Sequence, residues 1–265
     1  MLSWVRIAAA ALLLAACLAG RPAAGAPALP TPDHIVIVVM ENHSFDEIMK
    51  GPSTPFLQEL GRRGAVFVNS LAVEHPSQPN YYALFTGSTW DVHDDDYHSF
   101  KQPTLAGQLK GINRSFVGYA ESAAPRKHLP WESFEESSEL GKSFGRFPRD
   151  FTQLPTVSFV IPDDDDDMHD GSVRDGDTWL LRHIGAYADW CLTHNSLLII
   201  TFDEDDNLSD NRIPTIIYGD HVKPGRYQDE INHYGILRTI QAMYGLPPLA
   251  RSADELPITG IWRTE

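Results

Sequence analysis

The chain has 265 residues, of which 42% are hydrophobic and 22% are charged. Its 6 tryptophans, 9 tyrosines and 12 phenylalanines supply enough large apolar side chains for one core, which excludes an intrinsically disordered chain. The formal net charge is −15, so the surface repels nucleic acid and anionic lipid, and we expect no nucleic-acid partner.

The N-terminal segment has the pattern of an export signal. A short stretch with one positive charge precedes ten apolar residues, Ile7–Ala16, a run too short to span a bilayer about 30 Å thick. The sequence up to Cys17 resembles a bacterial lipoprotein processing site, after which Cys17 would carry a lipid. The alternative is plain secretion after cleavage within residues 23–28. We predict a signal peptide and tether over residues 1–30 and a single domain over residues 31–265.

Beyond the tether, apolar runs of strand length alternate with segments of helical pattern. The predicted strands are His34–Met40, Ala65–Val68, Ser115–Tyr119, Thr156–Ile161, Ser196–Phe202 and Pro214–Tyr218. The predicted helices are Pro55–Arg63, Tyr81–Thr86, Leu105–Lys110, Thr178–Cys191 and Tyr234–Tyr244. Continuous Val, Ile and Leu runs indicate strands that are covered on both faces. The alternation predicts an α/β fold with a largely parallel central sheet and helices on both faces. The polar, irregular stretch Tyr119–Asp150 would form a cap or an insertion.

Chemically active side chains follow four of the predicted strands. The carboxyl ends of parallel strands lie at one edge of a sheet, and ligands bind there in open α/β folds. In chain order, the residues at this edge are Glu41, Asn42, Ser77, Asn80, Asp167, His169, Asp203 and Glu204. We therefore expect one polar site along this edge.

Oxygen ligands dominate two of these strand ends. The carboxylate and amide oxygens of Glu41 and Asn42, together with Asp203 and Glu204, suit a hard divalent cation. Concentrated negative charge after a buried strand is costly unless a cation or water balances it. The alternatives are a turn opened by Asn42 and a solvated acidic loop, which we expect of the aspartates within residues 205–210. The identity and number of the cations stay open.

Ser77 and two histidines supply candidate reactive groups. Ser77 precedes a helix expected to begin near Asn80, where free N–H groups and the helix dipole favour an anion, so Ser77 is a candidate nucleophile. The alternative is a helix-capping serine. His169 lies among carboxylates that should raise its pKa, which suits a metal ligand, an anion contact or a proton donor. His128 is either an anion contact or a surface residue, and His233 is either a remote ligand or a helix cap.

Four segments resemble, in the right order, the motifs of a bacterial phosphoesterase family that contains acid phosphatases and phospholipases C. The segments are VMENHSFD at 39–46, HPSQPNY at 75–81, DMHD at 167–170 and TFDE at 201–204. The resemblance runs from about residue 33 to about residue 245. It is closest to the short branch with secreted acid phosphatases, and the wider relatives are alkaline-phosphatase-like enzymes.

The resemblance implies metal-dependent hydrolysis of phosphate monoesters through a phosphoserine, with small-molecule or lipid substrates that include phosphoinositides. Its implied catalytic residues are Ser77, His169 and His128. Its implied substrate-binding residues are Asn80 and Asp167, and its implied metal ligands are Glu41, Asn42, Asp203 and Glu204. No role is carried over to residues 163–166, because Asp163 stands where the family has asparagine.

Two other functions remain open at this stage. One is a phosphodiesterase of the phospholipase C type, and the other is a non-catalytic calcium-binding surface lipoprotein. The expected location is the periplasm, the outer membrane in lipoprotein form, or the medium. Contact with a membrane is expected only through a lipid on Cys17.

Overall fold

One mixed sheet forms the centre of the computed structural model, which describes residues 29–263. Its strands are β1 (His34–Met40), β2 (Ala65–Leu71), β3 (Phe116–Ala120), β4 (Gly141–Ser143), β5 (Val157–Ile161), β6 (Ser196–Phe202), β7 (Arg212–Gly219) and β8 (Gly225–Asn232). The α-helices are α1 (Phe45–Lys50), α2 (Pro55–Arg63), α3 (Ser77–Thr86), α4 (Leu105–Gly111), α5 (Val173–Cys191) and α6 (His233–Met243). The predicted signal peptide with Cys17 lies outside the described residues, apart from its last two positions. Within residues 29–263, no helix is both long and apolar enough to cross a bilayer.

The strand order is β4-β3-β5-β1-β6-β7-β2-β8. The ladders from β4 to β6 are parallel, β7 is antiparallel to both of its neighbours, and β2 pairs with β8 in parallel. Every described strand except β7 therefore points the same way. The predicted largely parallel sheet is confirmed, and the segments after β1, β2, β5 and β6 start from one edge.

Each face of the sheet carries its own layer of helices. Alternate residues of β1 divide between the two cores: Ile35, Ile37 and Val39 face one, and Val36, Val38 and Met40 face the other. Helices α3, α4 and α6 cover the first face, while α1, α2 and α5 cover the second. Because β1 is buried on both sides, the residues after it emerge at the centre of the sheet edge.

The structure adds elements that the sequence pattern did not predict. Strands β4 and β8 lie at the edges of the sheet, and their side chains are mostly exposed or partly exposed, so they lack an apolar pattern. Helix α1 has only six residues. Helix α3 begins at Ser77 instead of near Asn80, which places the candidate nucleophile in its first turn.

The stretch from 119 to 150 contains 3-10 turns and the short strand β4. Its 3-10 turn Arg126–His128 contacts α3. This irregular segment therefore brings His128 to the same sheet edge as the residues that follow the parallel strands.

Candidate active site

The Ser77 hydroxyl lies between two carboxylates at the start of α3. Pro76 precedes it in an extended conformation, so the helix begins at Ser77 itself. Ser77 is 1% exposed, and its Oγ lies 3.1 Å from Glu41 Oε2 and 3.1 Å from Glu204 Oε1. A hydroxyl has one proton, so it donates to one of these carboxylates and faces the other with a lone pair.

The backbone and the side-chain amide of Asn42 both lie against carboxylates of the site. Its backbone N–H donates to Asp203 Oδ1 at 3.1 Å. The end of its side-chain amide lies 3.3 Å from both Asp203 Oδ1 and Glu41 Oε2. The amide either donates N–H groups to these carboxylates or turns its oxygen toward them, as a ligand of a shared cation does.

Burial makes these carboxylates hard to ionise without a compensating charge. Desolvation raises the pKa of Glu41 from 4.5 to about 7. Desolvation, reinforced by the charge of Glu41, raises the pKa of Asp203 well above its ordinary range and that of Asp167 to about 10. Two carboxylates at one hydroxyl, beside an amide, match the oxygen-rich donor set of a hard divalent cation. The predicted ligand set of Glu41, Asn42, Asp203 and Glu204 stays a prediction. Potential ligand atoms of Glu41, His128 and Asp167 also lie within 4.8 Å of one another.

Tyr81 and His128 complete the surroundings of Glu41. The Tyr81 hydroxyl donates to Glu41 Oε1, and its ring stacks on His128 with centroids 5.0 Å apart. His128 is fully buried, and its Nε2 lies 3.2 Å from Glu41 Oε2. Burial lowers the pKa of His128 to about 3, so the ring is neutral in this environment. Tyr81 was not predicted as a site residue, and it lies four residues after Ser77 on the same face of α3.

Asp167 and His169 come from the loop after β5. The Asp167 carbonyl accepts from the Glu41 N–H at 3.0 Å, and its Oδ1 accepts from the backbone N–H of His169 at 2.8 Å. The His169 ring is partly exposed and pairs with Asp170 Oδ1 at 2.8 Å. Burial lowers the pKa of His169, but the bond to Asp170 and the charge of Glu41 outweigh it, so the pKa is raised overall. The pKa values of the two histidines are thus shifted in opposite directions, upward for His169 and downward for His128.

Asn80 holds together the loop that leads to the nucleophile. Its Oδ1 accepts from the backbone N–H groups of Val73 and Glu74 at 3.0 and 3.1 Å. Its Nδ2 donates to the carbonyls of Glu74 and Pro76 at 2.9 and 3.2 Å. These four contacts fix the turn before Ser77. A contact between Asn80 and substrate stays a prediction.

Three more side chains lie beside the site and were not predicted from the sequence as site residues: His75, Lys127 and Asp205. His75 pairs with Glu204, and its Nε2 lies 3.5 Å from Asp205 Oδ1. Lys127 Nζ lies 3.3 Å from Asp95 Oδ2. The expectation that Asp205 is solvated was wrong: it is 1% exposed and accepts from three backbone N–H groups of its own loop. The loop after β6 is therefore a folded turn where it meets the site.

His233 supports the end of β6 and neither caps α6 nor contacts the cluster. It is buried, and its Nε2 lies 2.9 Å from the carbonyl oxygen of Phe202. Burial lowers the pKa of His233 to about 4, so the neutral ring donates this bond. The cap of α6 is Asn232, whose side chain accepts from the Gly235 N–H at 2.9 Å. His233 thus fixes the residue that precedes Asp203.

Comparison with known proteins identifies the family to which the chain belongs. Residues 47–247 match the family model described as the Phosphoesterase family. The phosphatidylinositol-3-phosphatase of Mycobacterium tuberculosis is 43% identical over 96% of this chain and 91% of its own length. The phosphate-repressible acid phosphatase of Penicillium chrysogenum is 27% identical, and the match covers 83% of this chain and 60% of that relative.

A solved structure shares the architecture at low sequence identity. An alkaline phosphatase superfamily protein from Vibrio parahaemolyticus aligns over 88% of this chain and 72% of its own, with a TM-score of 0.63 and 14% identity. The predicted alkaline-phosphatase-like α/β fold is therefore confirmed. The family match spans α3 and the segments that carry His128, Asp167 and Asp203. The chain belongs to the Phosphoesterase family and is a hydrolase of phosphoric ester bonds.

Proposed function

We propose that this enzyme hydrolyses phosphate monoesters through a phosphoserine formed on Ser77. The observation that carries the proposal is the Ser77 hydroxyl, 3.1 Å from both Glu41 and Glu204 at the first residue of α3. A helix N-terminus offers free N–H groups and the positive end of the helix dipole to an anion. A phosphoryl group at this position meets a nucleophile and hydrogen-bond donors together.

The proposed ligands of a divalent cation are Glu41, Asn42, Asp203 and Glu204. When bound, such a cation lowers the pKa of a neighbouring hydroxyl and offsets the negative charge of phosphoryl oxygens. Oxygen ligands favour Mg²⁺, Ca²⁺ or Mn²⁺. Elemental analysis of the purified protein identifies the ion and its stoichiometry.

The residues of the chain supply the proton transfers of the proposed reaction. Ser77 passes its proton to Glu204 as Oγ attacks phosphorus, and the bond from phosphorus to the leaving oxygen breaks. Protonated His169 gives its proton to that oxygen. Water then attacks the phosphoserine and gives a proton to His169. The bond from phosphorus to Oγ breaks, and Ser77 recovers its proton as inorganic phosphate leaves.

The other predicted residues position the phosphoryl group in this scheme. Neutral His128 donates a hydrogen bond to a phosphoryl oxygen. Asp167 holds the backbone of His169 through the bond at 2.8 Å. Asn80 fixes the turn before Ser77 through its four backbone contacts.

Phosphoinositides are the proposed lipid substrates, because the relative with 43% identity is named a phosphatidylinositol-3-phosphatase. Aryl and sugar phosphates are the proposed small-molecule substrates. The second candidate is a phosphodiesterase of the phospholipase C type, which would have to accommodate another ester group. Rates on p-nitrophenyl phosphate and on bis-p-nitrophenyl phosphate separate the two functions.

Substitution of Ser77 by alanine tests the nucleophile directly. Loss of the attacking oxygen should reduce kcat by at least about 10³-fold, while the metal content stays unchanged. Ser99→Ala removes a hydroxyl from an exposed loop position and serves as the matched control. A Ser77→Ala enzyme that keeps wild-type turnover would refute the assignment. Metal-dependent melting without hydrolysis of any phosphate ester would favour the calcium-binding lipoprotein.

We also propose export, with a lipid anchor at Cys17. The apolar run Ile7–Ala16 followed by a small-residue stretch supports it. Cys17→Ala should release the protein from the membrane fraction into the soluble exported fraction. If the wild-type protein is already fully soluble outside the cytoplasm, it is secreted without a lipid anchor.

A further inference from the structure

An acidic loop, residues 91–98, crosses the start of α3 beside the nucleophile. The Gln78 side chain donates to the carbonyls of Asp94 and Asp96 at 3.1 and 2.8 Å. Arg126 donates to Gln78 Oε1 at 2.7 Å and to the Asp95 carbonyl at 2.8 Å. These bonds hold the acidic loop against the residue that directly follows Ser77.

The Asp95 carboxylate contacts two hydrogen-bond donors next to Ser77. Its Oδ1 accepts from the Gln78 backbone N–H at 3.1 Å. Its Oδ2 lies 3.3 Å from Lys127 Nζ. A backbone N–H in the first turn of a ten-residue helix and an ammonium group are the donors that a phosphoryl oxygen needs.

Lys127 and His128 are consecutive residues that contact different carboxylates near Ser77. Lys127 is close enough to Glu41 and Asp164 for their charges to act on its ammonium group. His128 is fully buried, with its Nε2 3.2 Å from Glu41 Oε2 and its Nδ1 3.7 Å from both Asp164 Oδ1 and Asp167 Oδ2. Within residues 29–263, none of these contacts has the geometry of a hydrogen bond. A buried ring whose nitrogens lack hydrogen bonds is costly, so His128 is available to contact a bound phosphoryl group.

We infer that Lys127 and the Gln78 N–H form the outer half of the phosphoryl-binding site, and that the Asp95 carboxylate occupies it until substrate arrives. The inference rests on the proposed function for the position of the reacting phosphoryl group. A carboxylate and a phosphoryl group each carry negative oxygens, so both take the same donors but not at the same time. Lys127 therefore acts as a substrate-binding residue, and Asp95 acts as an internal competitor.

Charge-neutral variants separate these two roles. Lys127→Gln should weaken the binding of inorganic phosphate about tenfold and raise KM for p-nitrophenyl phosphate by a similar factor, because a charge-assisted bond is lost. Asp95→Asn keeps the shape of the side chain but removes the competing charge. It should strengthen phosphate binding about fivefold and lower KM.

The measurements are calorimetric titration of phosphate into the full chain loaded with divalent cation, steady-state kinetics, and thermal melting of each variant. Lys101→Gln is the lysine control, since Lys101 forms an exposed pair with Glu135 at 3.4 Å. Asp91→Asn is the aspartate control from the same acidic loop, with a side chain that is 99% exposed. Both controls should bind phosphate as the wild type does.

Two results would overturn the inference. If Asp95→Asn binds phosphate as tightly as the wild type or more weakly, Asp95 only stabilises the acidic loop and does not compete with phosphate. An effect of Lys127→Gln no larger than that of Lys101→Gln would remove Lys127 from the site. If Lys127→Gln does not fold, the Asp95→Asn titration alone decides.

The titration also separates this inference from the proposed function. If the predicted shifts in phosphate binding occur in a protein that hydrolyses no phosphate ester, the anion site stands and the proposed reaction fails. If hydrolysis is normal and Asp95→Asn binds phosphate as the wild type does, the proposed reaction stands and the anion site fails.

Discussion

Removal of divalent cations should make the stability of this protein fall as pH rises from 5 to 8. The buried Glu41 carboxyl has its pKa raised from 4.5 to about 7 in the folded chain. Between these two values the folded state holds a proton that the unfolded state has released. Stability is therefore fully present below the unfolded pKa and is lost as pH rises through the folded pKa. The raised pKa values of Asp167 and Asp203 act in the same direction and extend the loss above pH 7. They oppose the lowered pKa values of the buried His128 and His233, which on their own make stability rise with pH up to about 6.5.

The size of the effect follows from the pKa of Glu41. A rise from 4.5 to about 7 in a residue that is 0% exposed corresponds to about 3 kcal/mol of folding free energy. For a chain of this size, about 3 kcal/mol corresponds to a change in Tm of roughly 6–12 °C. A bound cation compensates the ionised carboxylates, so added metal should raise Tm more at pH 8 than at pH 5.

Thermal melting in the presence of a chelator, at half-unit steps from pH 5 to pH 8, measures this dependence. Glu41→Gln places a neutral group of the same shape at the site and should make the slope of Tm against pH shallower. Glu139→Gln makes the same change at an exposed position and should keep the wild-type slope. A chelated wild-type protein with equal Tm at pH 5 and pH 8, or a Glu41→Gln variant with the wild-type slope, would refute the reasoning from burial.

Two further substitutions test individual contacts. Tyr81→Phe keeps the stack on His128 but removes the hydroxyl that donates to Glu41, so metal affinity should fall about tenfold, measured by metal titration. Gly87→Ala should lower the free energy of unfolding by at least about 2 kcal/mol in urea. The reason is that Gly87 has φ +79° and a Cβ there would lie 2.2 Å from the Leu249 carbonyl oxygen. Gly111→Ala is its control, because no atom lies within 4 Å of the added Cβ.

The parallel core of the fold is readable from the sequence because burial on both faces leaves continuous apolar strands. Strands β1 and β6 have the predicted boundaries, since every residue from Ile35 to Met40 and from Ser196 to Phe202 is buried. Strand β8 escaped prediction because most of its eight residues are exposed or partly exposed at the sheet edge. An edge strand depends on backbone bonds to its neighbour, and these leave no apolar pattern in the sequence.

The residues of the candidate site also differ in whether the sequence alone predicts them. Residues that directly follow a parallel strand, such as Glu41 and Asp203, are placed by the topology alone. Tyr81 follows Ser77 at helical spacing, but this relation appears only once α3 is known to begin at Ser77 and not near Asn80. Asp95 and Lys127 were not predicted either, because an irregular loop and a 3-10 turn bring them together across 32 residues. Such a pairing depends on tertiary packing that no local pattern encodes.

The arrangement around Glu41 Oε2 links the stability of the protein to its chemistry. This one oxygen lies 3.1 Å from the Ser77 hydroxyl, 3.3 Å from the Asn42 amide and 3.2 Å from His128 Nε2. At the same time, burial favours the protonated form of Glu41, which cannot bind a cation through that oxygen while the oxygen carries the proton. The ionised form that the proposed reaction needs is therefore the form that the isolated fold disfavours. A cation that stabilises the ionised carboxylate would act on folding and on the reactivity of Ser77 through the same atom.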